Sequence, residues 1–221
     1  MPHSPTVQIV DDPDGVCAAA IAGRLRVAVQ RRGTATLAVS GGSSAPAMLD
    51  RLAALEVPWA RVGVWQVDER VAPDGDPDRN APQLDALGGT HHLMPVTADD
   101  LDDASARYAE GLPDRFDVVH LGMGPDGHTA SWPPGDPVVE RDEPVALAGP
   151  FQGRVRMTLT PPVVNRARAR VVLLHGNDKA GALRDWIAGT ADVPIARLDD
   201  SNTIVIADAA AAALLEPAGG R

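Results

Sequence analysis

Short apolar runs alternate along the chain with longer amphipathic stretches, which is the pattern of buried strands separated by helices. The apolar runs predict strands at 36–40, 62–67, 116–124, 170–176 and 202–208, and RVRMTLT predicts a strand at 154–160. Helices are predicted at 16–30, 45–55, 99–111 and 179–188, from the paired prolines at 161–162, and over the closing alanines at 210–216. This alternation predicts an α/β fold: a doubly wound, mostly parallel sheet with helices on both faces.

The pattern shows no internal repeat and no long linker, so we expect residues 1–221 to form a single domain. In a Rossmann-like sheet of this kind, ligands bind beyond the carboxyl ends of the strands. The chemically distinctive segments all follow predicted strands. The sequence therefore predicts that these segments meet at one edge of the sheet.

The charge balance restricts the partners that the chain can bind. Its net charge is −10 and its aromatic content is 3%, which argue against nucleic acid or an anionic membrane as a partner. A small anion requires positive groups gathered at its own binding site. Cys17 has no cysteine partner, no targeting segment is recognisable, and no apolar run approaches about 20 residues. We therefore expect a cytoplasmic protein.

A glycine-serine loop follows the strand predicted at 36–40. Gly41 and Gly42 allow the backbone N–H groups to converge, and the N-terminus of the next helix adds a positive partial charge. Ser43 and Ser44 add hydroxyl donors. These groups form an anion cradle suited to a phosphate, although the loop taken alone favours the alternative, a tight turn with a serine cap. The segment is not a Walker A loop, because no Gly-Lys-Ser/Thr sequence follows.

Three charged residues, Asp68, Glu69 and Arg70, directly follow the strand predicted at 62–67 and begin a loop predicted over 68–80. At least one of them should project over the carboxyl edge of the sheet. An arginine at that position binds phosphate through paired hydrogen bonds. A solvated cluster of charges is the alternative interpretation.

The glycine-rich segment GMGPDG (122–127) has the G-x-G-x-x-G spacing of dinucleotide-binding loops. That motif must open a helix, but Pro133 and Pro134 follow too soon after His128 to allow an ordinary one. We therefore reject a nicotinamide site. The loop instead presents Asp126 and His128 together. A histidine exchanges protons near neutral pH, and a neighbouring carboxylate orients its ring.

The other histidines are interpreted as structural. His3, His91 and His92 are expected on the surface or in structural roles, and His120, within a strand, is expected to be packed or hydrogen-bonded in the core. No set of residues has convincing metal-ligand spacing, and no G-x-S-x-G nucleophile motif occurs. The sequence therefore predicts neither a metal nor a serine nucleophile.

One residue is notable by its rarity: Lys179 is the single lysine among 20 basic residues. It follows a strand and a glycine turn, at the start of the helix predicted at 179–188. A helix N-terminus disfavours a cation unless an anion lies between them. The position therefore favours a phosphate contact, with a solvated lysine as the alternative.

In this order the four segments, SGGSSAP (40–46), DER (68–70), GMGPDGHTASWPPG (122–135) and GNDK (176–179), resemble the 6-phosphogluconolactonase family. GMGPDGHTAS is the specific element, and the resemblance spans most of the chain. It implies a fold similar to that of glucosamine-6-phosphate deaminases and ribose-5-phosphate isomerases. It also implies hydrolysis of 6-phospho-D-glucono-1,5-lactone in the pentose phosphate pathway, with no metal or organic cofactor.

The sequence departs from the family pattern at a few positions. Ser44 replaces threonine, Ala45 is additional, Arg79 replaces serine before Asn80, and WP (132–133) replaces Leu-Phe. In the related deaminases the histidine loop continues toward Asn-Glu-Pro, and that glutamate supports the catalytic histidine. The matching positions here carry no carboxylate, which favours the lactonase.

The resemblance and the residues together predict the catalytic roles. His128 takes a proton from the attacking water, Asp126 orients its ring, and backbone N–H groups of the glycine-rich loop or another donor bind the oxyanion. The expected substrate-binding residues are Gly41, Gly42, Ser43, Ser44, Asp68, Arg70 and Lys179. A glucosamine-6-phosphate deaminase-like enzyme and a non-catalytic sugar-phosphate sensor are the alternatives. We expect a monomer or a small homo-oligomer.

Overall fold

The computed structural model describes residues 5–216. In chain order its strands are β1 (Thr6–Ile9), β2 (Ala35–Val39), β3 (Val62–Gln66), β4 (Asp68–Arg70), β5 (Thr90–His92), β6 (Val118–Leu121), β7 (Val145–Phe151), β8 (Arg154–Leu159), β9 (Arg170–Leu174) and β10 (Thr203–Ala207). Its α-helices are α1 (Pro13–Arg32), α2 (Ala45–Ala53), α3 (Leu101–Glu110), α4 (Pro161–Asn165) and α5 (Ala180–Ala188).

The main sheet has seven strands in the order β1-β10-β9-β6-β2-β3-β5, and every pairing in it is parallel. Its central strands are mostly apolar and mostly buried, as expected for a sheet covered on both faces. All five residues of β9 are buried, for example. The predicted parallel α/β architecture is confirmed.

Helices cover both faces of this sheet and form two cores. On one face, α1 and α2 pack through residues such as Ile21 and Leu49 against Val39 and Val171. On the other face, α3 and α5 pack through residues such as Trp186. The helix predicted at 16–30 is longer in the structure, because Asp12 accepts a hydrogen bond from the amide of Gly15 and caps its N-terminus.

A second, antiparallel sheet of order β4-β8-β7 packs into the core of the α3 and α5 face. Residues 68–70 therefore form a strand, whereas the sequence analysis placed them in a loop, and β8 does not belong to the parallel sheet. Pairing with β8 explains the difference, since Asp68 lies opposite Thr158, which is ninety residues further along the chain. Strands β1, β5 and β7 were not anticipated.

The helix predicted at 210–216 is wrong. Residues 208–215 form turns, in which the amides of Ala213 and Leu215 bond to carbonyls three residues earlier. The Asp208 carboxylate accepts the amide of Ala211 and also that of Gly176. The segment is therefore tied to the end of β9, and its alanines do not continue into a regular helix.

Candidate active site

A pocket of about 250 Å³ lies beyond the carboxyl ends of β2 and β6, bordered by β4 and β8. Of the residues predicted to form the site, those lining it are Gly41, Gly42, Ser43, Ser44, Asp68, Arg70, His128 and Lys179. Asp126 lies behind His128 and is hydrogen-bonded to it. Every residue predicted to form the site therefore lies at one place, at the carboxyl edge of the main sheet.

The serine-glycine loop (residues 40–45) turns directly into α2. Gly42 has φ of 104°, a conformation that glycine adopts readily. A Cβ on Gly41 would lie 2.4 Å from the Asn80 side chain, so this position also requires glycine. The structure therefore explains both glycines of the loop, one by conformation and one by close packing.

The same loop carries hydrogen-bond donors that are available to bind an anion. Ser44 is the N-cap residue of α2, but its side chain makes no capping hydrogen bond. Within residues 5–216 the amides of Ser43 and Ser44 have no recorded hydrogen-bond partner, while the Gly42 amide donates to Gln83 Oε1 at 3.0 Å. The uncapped N-terminus of a nine-residue helix therefore faces the pocket with free donors.

The side chains of Asp126 and His128 form a close pair, with 2.5 Å between Asp126 Oδ1 and His128 Nδ1. Partial burial raises the pKa of Asp126, but the hydrogen bond and charge of His128 outweigh it and hold that pKa below its usual value. An ionised carboxylate only accepts hydrogen bonds, so Nδ1 must carry the proton. The neutral ring therefore leaves a lone pair on Nε2, as a general base requires.

The glycine-rich loop (residues 122–135) holds this pair by backbone bonds. The Gly124 amide donates to the His128 carbonyl at 2.8 Å, and the Gly127 amide donates to the Gly124 carbonyl at 3.0 Å. A Cβ on Gly124 would lie 2.1 Å from the His128 ring. The amides of Gly124 and Gly127 are thus occupied, which removes two of the oxyanion donors expected from this loop.

The three charged residues of β4 do not all face the pocket, because successive side chains of a strand point to opposite faces. Asp68 and Arg70 line the pocket, while Glu69 is fully buried away from it. Glu69 accepts hydrogen bonds from the amides of Arg70 and Asn80 and pairs with Arg79 at 3.1 Å. Glu69 therefore shapes the loop that follows β4. Arg79, at a family position usually held by serine, points to Glu69 rather than to the pocket.

Asp68 is buried beside the pocket and its carboxylate accepts a 2.6 Å hydrogen bond from the Ser131 hydroxyl. Burial raises the pKa of Asp68, while Ser131 and the neighbouring arginines Arg70 and Arg156 oppose the rise. A carboxyl group with a raised pKa next to cations is a typical functional-site feature.

Arg156, which the sequence analysis missed, completes the cationic wall. It lies directly opposite Arg70 across the β4–β8 pair, is 4% exposed and lines the pocket. Burial, and then the charge of Arg70, lowers the pKa of Arg156. Its guanidinium lies 5.0 Å from the centre of the Phe151 ring, which in turn makes an edge contact with His128 at 5.0 Å. Arg156 is therefore on the His128 side of the pocket.

Lys179 lies at the N-cap position of α5 and lines the same pocket. Its ammonium contacts the carboxylate of Asp178 at 2.7 Å, and this hydrogen bond lowers the pKa of Asp178. A shallow depression adjoining the pocket is lined by Lys179 together with Ser43 and Ser44. Lys179 therefore lies beside the free amides of the serine-glycine loop.

The lining carries a local excess of positive charge on an acidic chain. Three cations, Arg70, Arg156 and Lys179, face a single lining carboxylate, Asp68, among the described residues. The chain as a whole has a net charge of −10. The positive groups that a bound anion requires are therefore gathered at this pocket.

The remaining polar residues behave in different ways. His92 stacks on Trp65 with 4.0 Å between ring centres, and His91 bonds to the Leu87 carbonyl, so both are structural as expected. His3 lies outside the described residues. Trp132, at a departure from the family pattern, is buried and donates to the Leu159 carbonyl, so it does not face the pocket.

His120 is buried and packed within its strand, as predicted. Neither of its ring nitrogens has a partner among the described residues, and its side chain lines the pocket. The sequence placed it in a strand but gave no sign of which face it occupies. Within residues 5–216 no cluster of three or more metal-ligating side chains is found, and no helix there is long and apolar enough to span a membrane.

The fold and the pocket together place the chain among α/β enzymes that act at the carboxyl edge of a parallel sheet. The family model for glucosamine-6-phosphate isomerases/6-phosphogluconolactonase matches residues 14–206. The chain therefore belongs to this family.

Individual relatives agree with that assignment. The 6-phosphogluconolactonase of Synechocystis sp. is 33% identical over 187 residues, which cover 76% of this chain and 78% of the relative. The 6-phosphogluconolactonase of Mycobacterium tuberculosis is 33% identical over 244 aligned positions, which cover 96% of this chain and 99% of the relative.

Solved structures share the fold. The 6-phosphogluconolactonase of Trypanosoma cruzi superposes with a TM-score of 0.85 at 22% identity, covering 98% of this chain and 99% of the other. A monomeric glucosamine-6-phosphate deaminase gives a TM-score of 0.82 at 17% identity, covering 96% and 99%. At these identities the likeness establishes the fold alone.

Proposed function

We propose that this protein hydrolyses 6-phospho-D-glucono-1,5-lactone to 6-phosphogluconate in the pentose phosphate pathway. The sequence relatives named 6-phosphogluconolactonase support this activity. The observation that carries it is the presence, in one pocket, of the Asp126–His128 pair and a set of anion-binding groups. A phosphorylated lactone needs both, one at its ester carbonyl and one at its phosphate.

In the proposed reaction His128 acts through Nε2. It takes a proton from a water molecule as the water oxygen attacks the lactone carbonyl carbon. The tetrahedral intermediate then collapses, the bond to the ring oxygen breaks, and the protonated His128 returns its proton to that oxygen. One water is added and no other reactant is consumed. Asp126 keeps the ring in the required tautomer and stabilises its protonated form.

We assign the oxyanion to Arg156. The amides of Gly124 and Gly127 are already bonded within their loop, so they are not free to bind the developing negative charge. Arg156 lies on the same side of the pocket as His128, with Phe151 in contact with both. A buried guanidinium stabilises a developing oxyanion strongly because little water screens it.

We assign the phosphate to the amides of Ser43 and Ser44 with Lys179. These residues share one lining, and the N-terminal dipole of α2 adds to their positive potential. We assign contacts with the sugar to Arg70, which donates a hydrogen bond to Asn80 Oδ1 at 3.0 Å, and to Asp68, since both line the pocket. Binding energy from the phosphate then positions the reacting carbon at His128.

The acidic chain supports a small-molecule partner rather than nucleic acid. We further propose that the protein acts in the cytoplasm as a monomer or small homo-oligomer built from one domain. Size-exclusion chromatography with light scattering tests the oligomeric state, and a single cooperative unfolding transition tests the single domain.

The deciding experiment measures the decay of freshly generated 6-phosphogluconolactone by proton release. Because the lactone also hydrolyses spontaneously, a blank without protein and the His128→Ala variant are measured in parallel. We expect the wild type to accelerate the decay of the lactone over the blank, and His128→Ala to lose most of this acceleration. No acceleration over the blank by folded protein would contradict it. Turnover of glucosamine 6-phosphate would then favour the deaminase, and binding without turnover would favour a sensor.

A further inference from the structure

The imidazole of His120 lies under the serine-glycine loop, on the α1 and α2 face of the main sheet. His120 pairs in register with Val39 of β2 and Val171 of β9. Both valines belong to the apolar core of that face. His120 therefore interrupts a row of aliphatic side chains. It lies on β6, the central strand of the sheet, near the carboxyl end of that strand.

This side chain reaches the pocket although it is almost fully buried. His120 is 2% exposed, and it lines the pocket together with Ala45, Leu173 and Lys179. Ala45 is the first residue of α2. Because His120 is in register with Val39 and Val171 of the α1 and α2 face, its side chain borders the pocket from the side of the sheet that α2 covers, and the proposed phosphate site lies at the N-terminus of α2.

Both ring nitrogens of His120 lack a hydrogen-bond partner among residues 5–216. Burial lowers the pKa of His120 to about 4, and a contact of the ring with the Ser40 backbone, which lies outside normal hydrogen-bond geometry, opposes this only in part. Burying a polar group without a hydrogen bond is unfavourable, so a group in this state beside a pocket indicates a partner that binds there.

We propose that His120 is a further phosphate contact, with one ring N–H donating a hydrogen bond to the phosphoryl group held by Ser43, Ser44 and Lys179. The contact comes from a side chain buried within the fold, whereas the other proposed contacts come from the serine-glycine loop and from Lys179. It makes His120 a specificity residue for the phosphorylated end of the ligand. This inference rests on the phosphate position in the proposed function.

The test measures equilibrium binding, so that it does not depend on turnover. Isothermal titration calorimetry with inorganic phosphate and with 6-phosphogluconate compares the wild type with His120→Leu, which keeps an aliphatic side chain between Val39 and Val171. His120→Gln restores an N–H donor. His91→Leu, on the edge strand β5, is the control for loss of a histidine far from the pocket.

The proposal expects His120→Leu to weaken both ligands by a similar factor of about 10, the order for a hydrogen bond to a charged group. His120→Gln should recover part of the loss, and His91→Leu should bind as the wild type does. Equal affinities of wild type and His120→Leu would overturn the proposal. So would weaker binding of 6-phosphogluconate with unchanged binding of inorganic phosphate, since the contact would then be to the sugar.

A second measurement remains decisive if His120→Leu does not fold. In the wild type, nitrogen NMR of the imidazoles should show the His120 signals shift when phosphate is added, and unmoved signals would also overturn the proposal. Lactonase assays on the same samples separate the two proposals. If the wild type hydrolyses the lactone but His120→Leu binds phosphate as tightly as the wild type does, only this inference is overturned. If phosphate binding depends on His120 but the wild type does not hydrolyse the lactone, only the proposed reaction is overturned.

Discussion

Asp126 and His128 are two residues apart, and their side chains meet at 2.5 Å between Oδ1 and Nδ1. The same carboxylate also accepts the backbone amide of His128 at 3.2 Å. One side chain therefore fixes both the ring and the backbone of the proposed base. Because Asp126 accepts a hydrogen bond from Nδ1–H, it keeps the proton on Nδ1 and leaves Nε2 free for catalysis.

The first prediction concerns this pair. His128→Ala should lower kcat by about 10²–10⁴-fold while KM changes little, because the binding groups remain. Asp126→Asn should lower kcat by a smaller factor, since its amide permits the wrong tautomer. Steady-state kinetics on both variants, with circular dichroism to verify folding, checks this. Wild-type kcat in Asp126→Asn would exclude the orienting role.

The second prediction concerns Gly124, where an added Cβ would lie 2.1 Å from His128 Nδ1 and 2.7 Å from Asp126 Oδ1. Gly124→Ala should displace the imidazole and lower kcat nearly as far as His128→Ala does. Gly181→Ala is the matched control, because a Cβ at that helix position meets nothing within 4 Å. Kinetic constants and melting temperatures of both variants provide the measurement. An active Gly124→Ala enzyme would mean that the ring position is not critical.

The site motifs were predictable from sequence because parallel strands place their carboxyl ends at one edge. Each of the four segments follows a strand, so the hydrophobic pattern alone brings them together. The last predicted helix was less predictable. The helix expected at 210–216 is replaced by turns that Asp208 holds against β9, a long-range contact that local propensity does not contain.

The groups that sequence analysis missed depend on pairing across long distances. Arg156 lies on a predicted strand, but an alternating strand has two faces, and only its pairing with residues 68–70 shows which one faces the pocket. His120 was expected to be packed or hydrogen-bonded, on the rule that buried polar groups are paired. It is packed, but no described residue pairs with it.

The third prediction separates Arg156 from its neighbour on the same face of β8. Arg156→Met should lower kcat by about 10²–10³-fold if the guanidinium binds the oxyanion. Arg154→Met removes an equivalent charge that pairs with Asp76 and Asp78 outside the pocket, and should leave kcat near the wild-type value. Initial rates over a range of lactone concentrations distinguish the two. A raised KM with unchanged kcat in Arg156→Met would instead assign Arg156 to ground-state binding.

The fourth prediction concerns Lys179. Lys179→Met should raise KM by about 10-fold or more with little change in kcat, because a charge-assisted contact to phosphate holds substrate and transition state alike. It should also weaken competitive inhibition by inorganic phosphate. Arg184→Met, on the same helix and paired with the adjacent Asp185, serves as the control and should change neither constant. If Lys179→Met lowers kcat at unchanged KM, the lysine acts at the carbonyl and not at the phosphate.

The fifth prediction uses the pKa of His120, which burial lowers from 6.5 to about 4. Between these values the unfolded chain binds a proton at this residue and the folded protein does not, so acidification favours unfolding. The penalty for keeping His120 unprotonated in the folded protein is absent above pH 6.5 and grows as the pH falls toward 4. The wild type should therefore lose about 2 kcal/mol more than His120→Leu between pH 7 and pH 5.

Urea unfolding of both proteins at pH 7, 6 and 5, without phosphate, measures this difference. All other titrating groups are common to the two proteins, so they cancel when the losses are subtracted. Parallel losses of unfolding free energy would mean that His120 titrates normally in the folded state and is therefore open to water. Repeating the wild-type series with inorganic phosphate should reduce the loss, because a bound anion favours a protonated imidazole beside it.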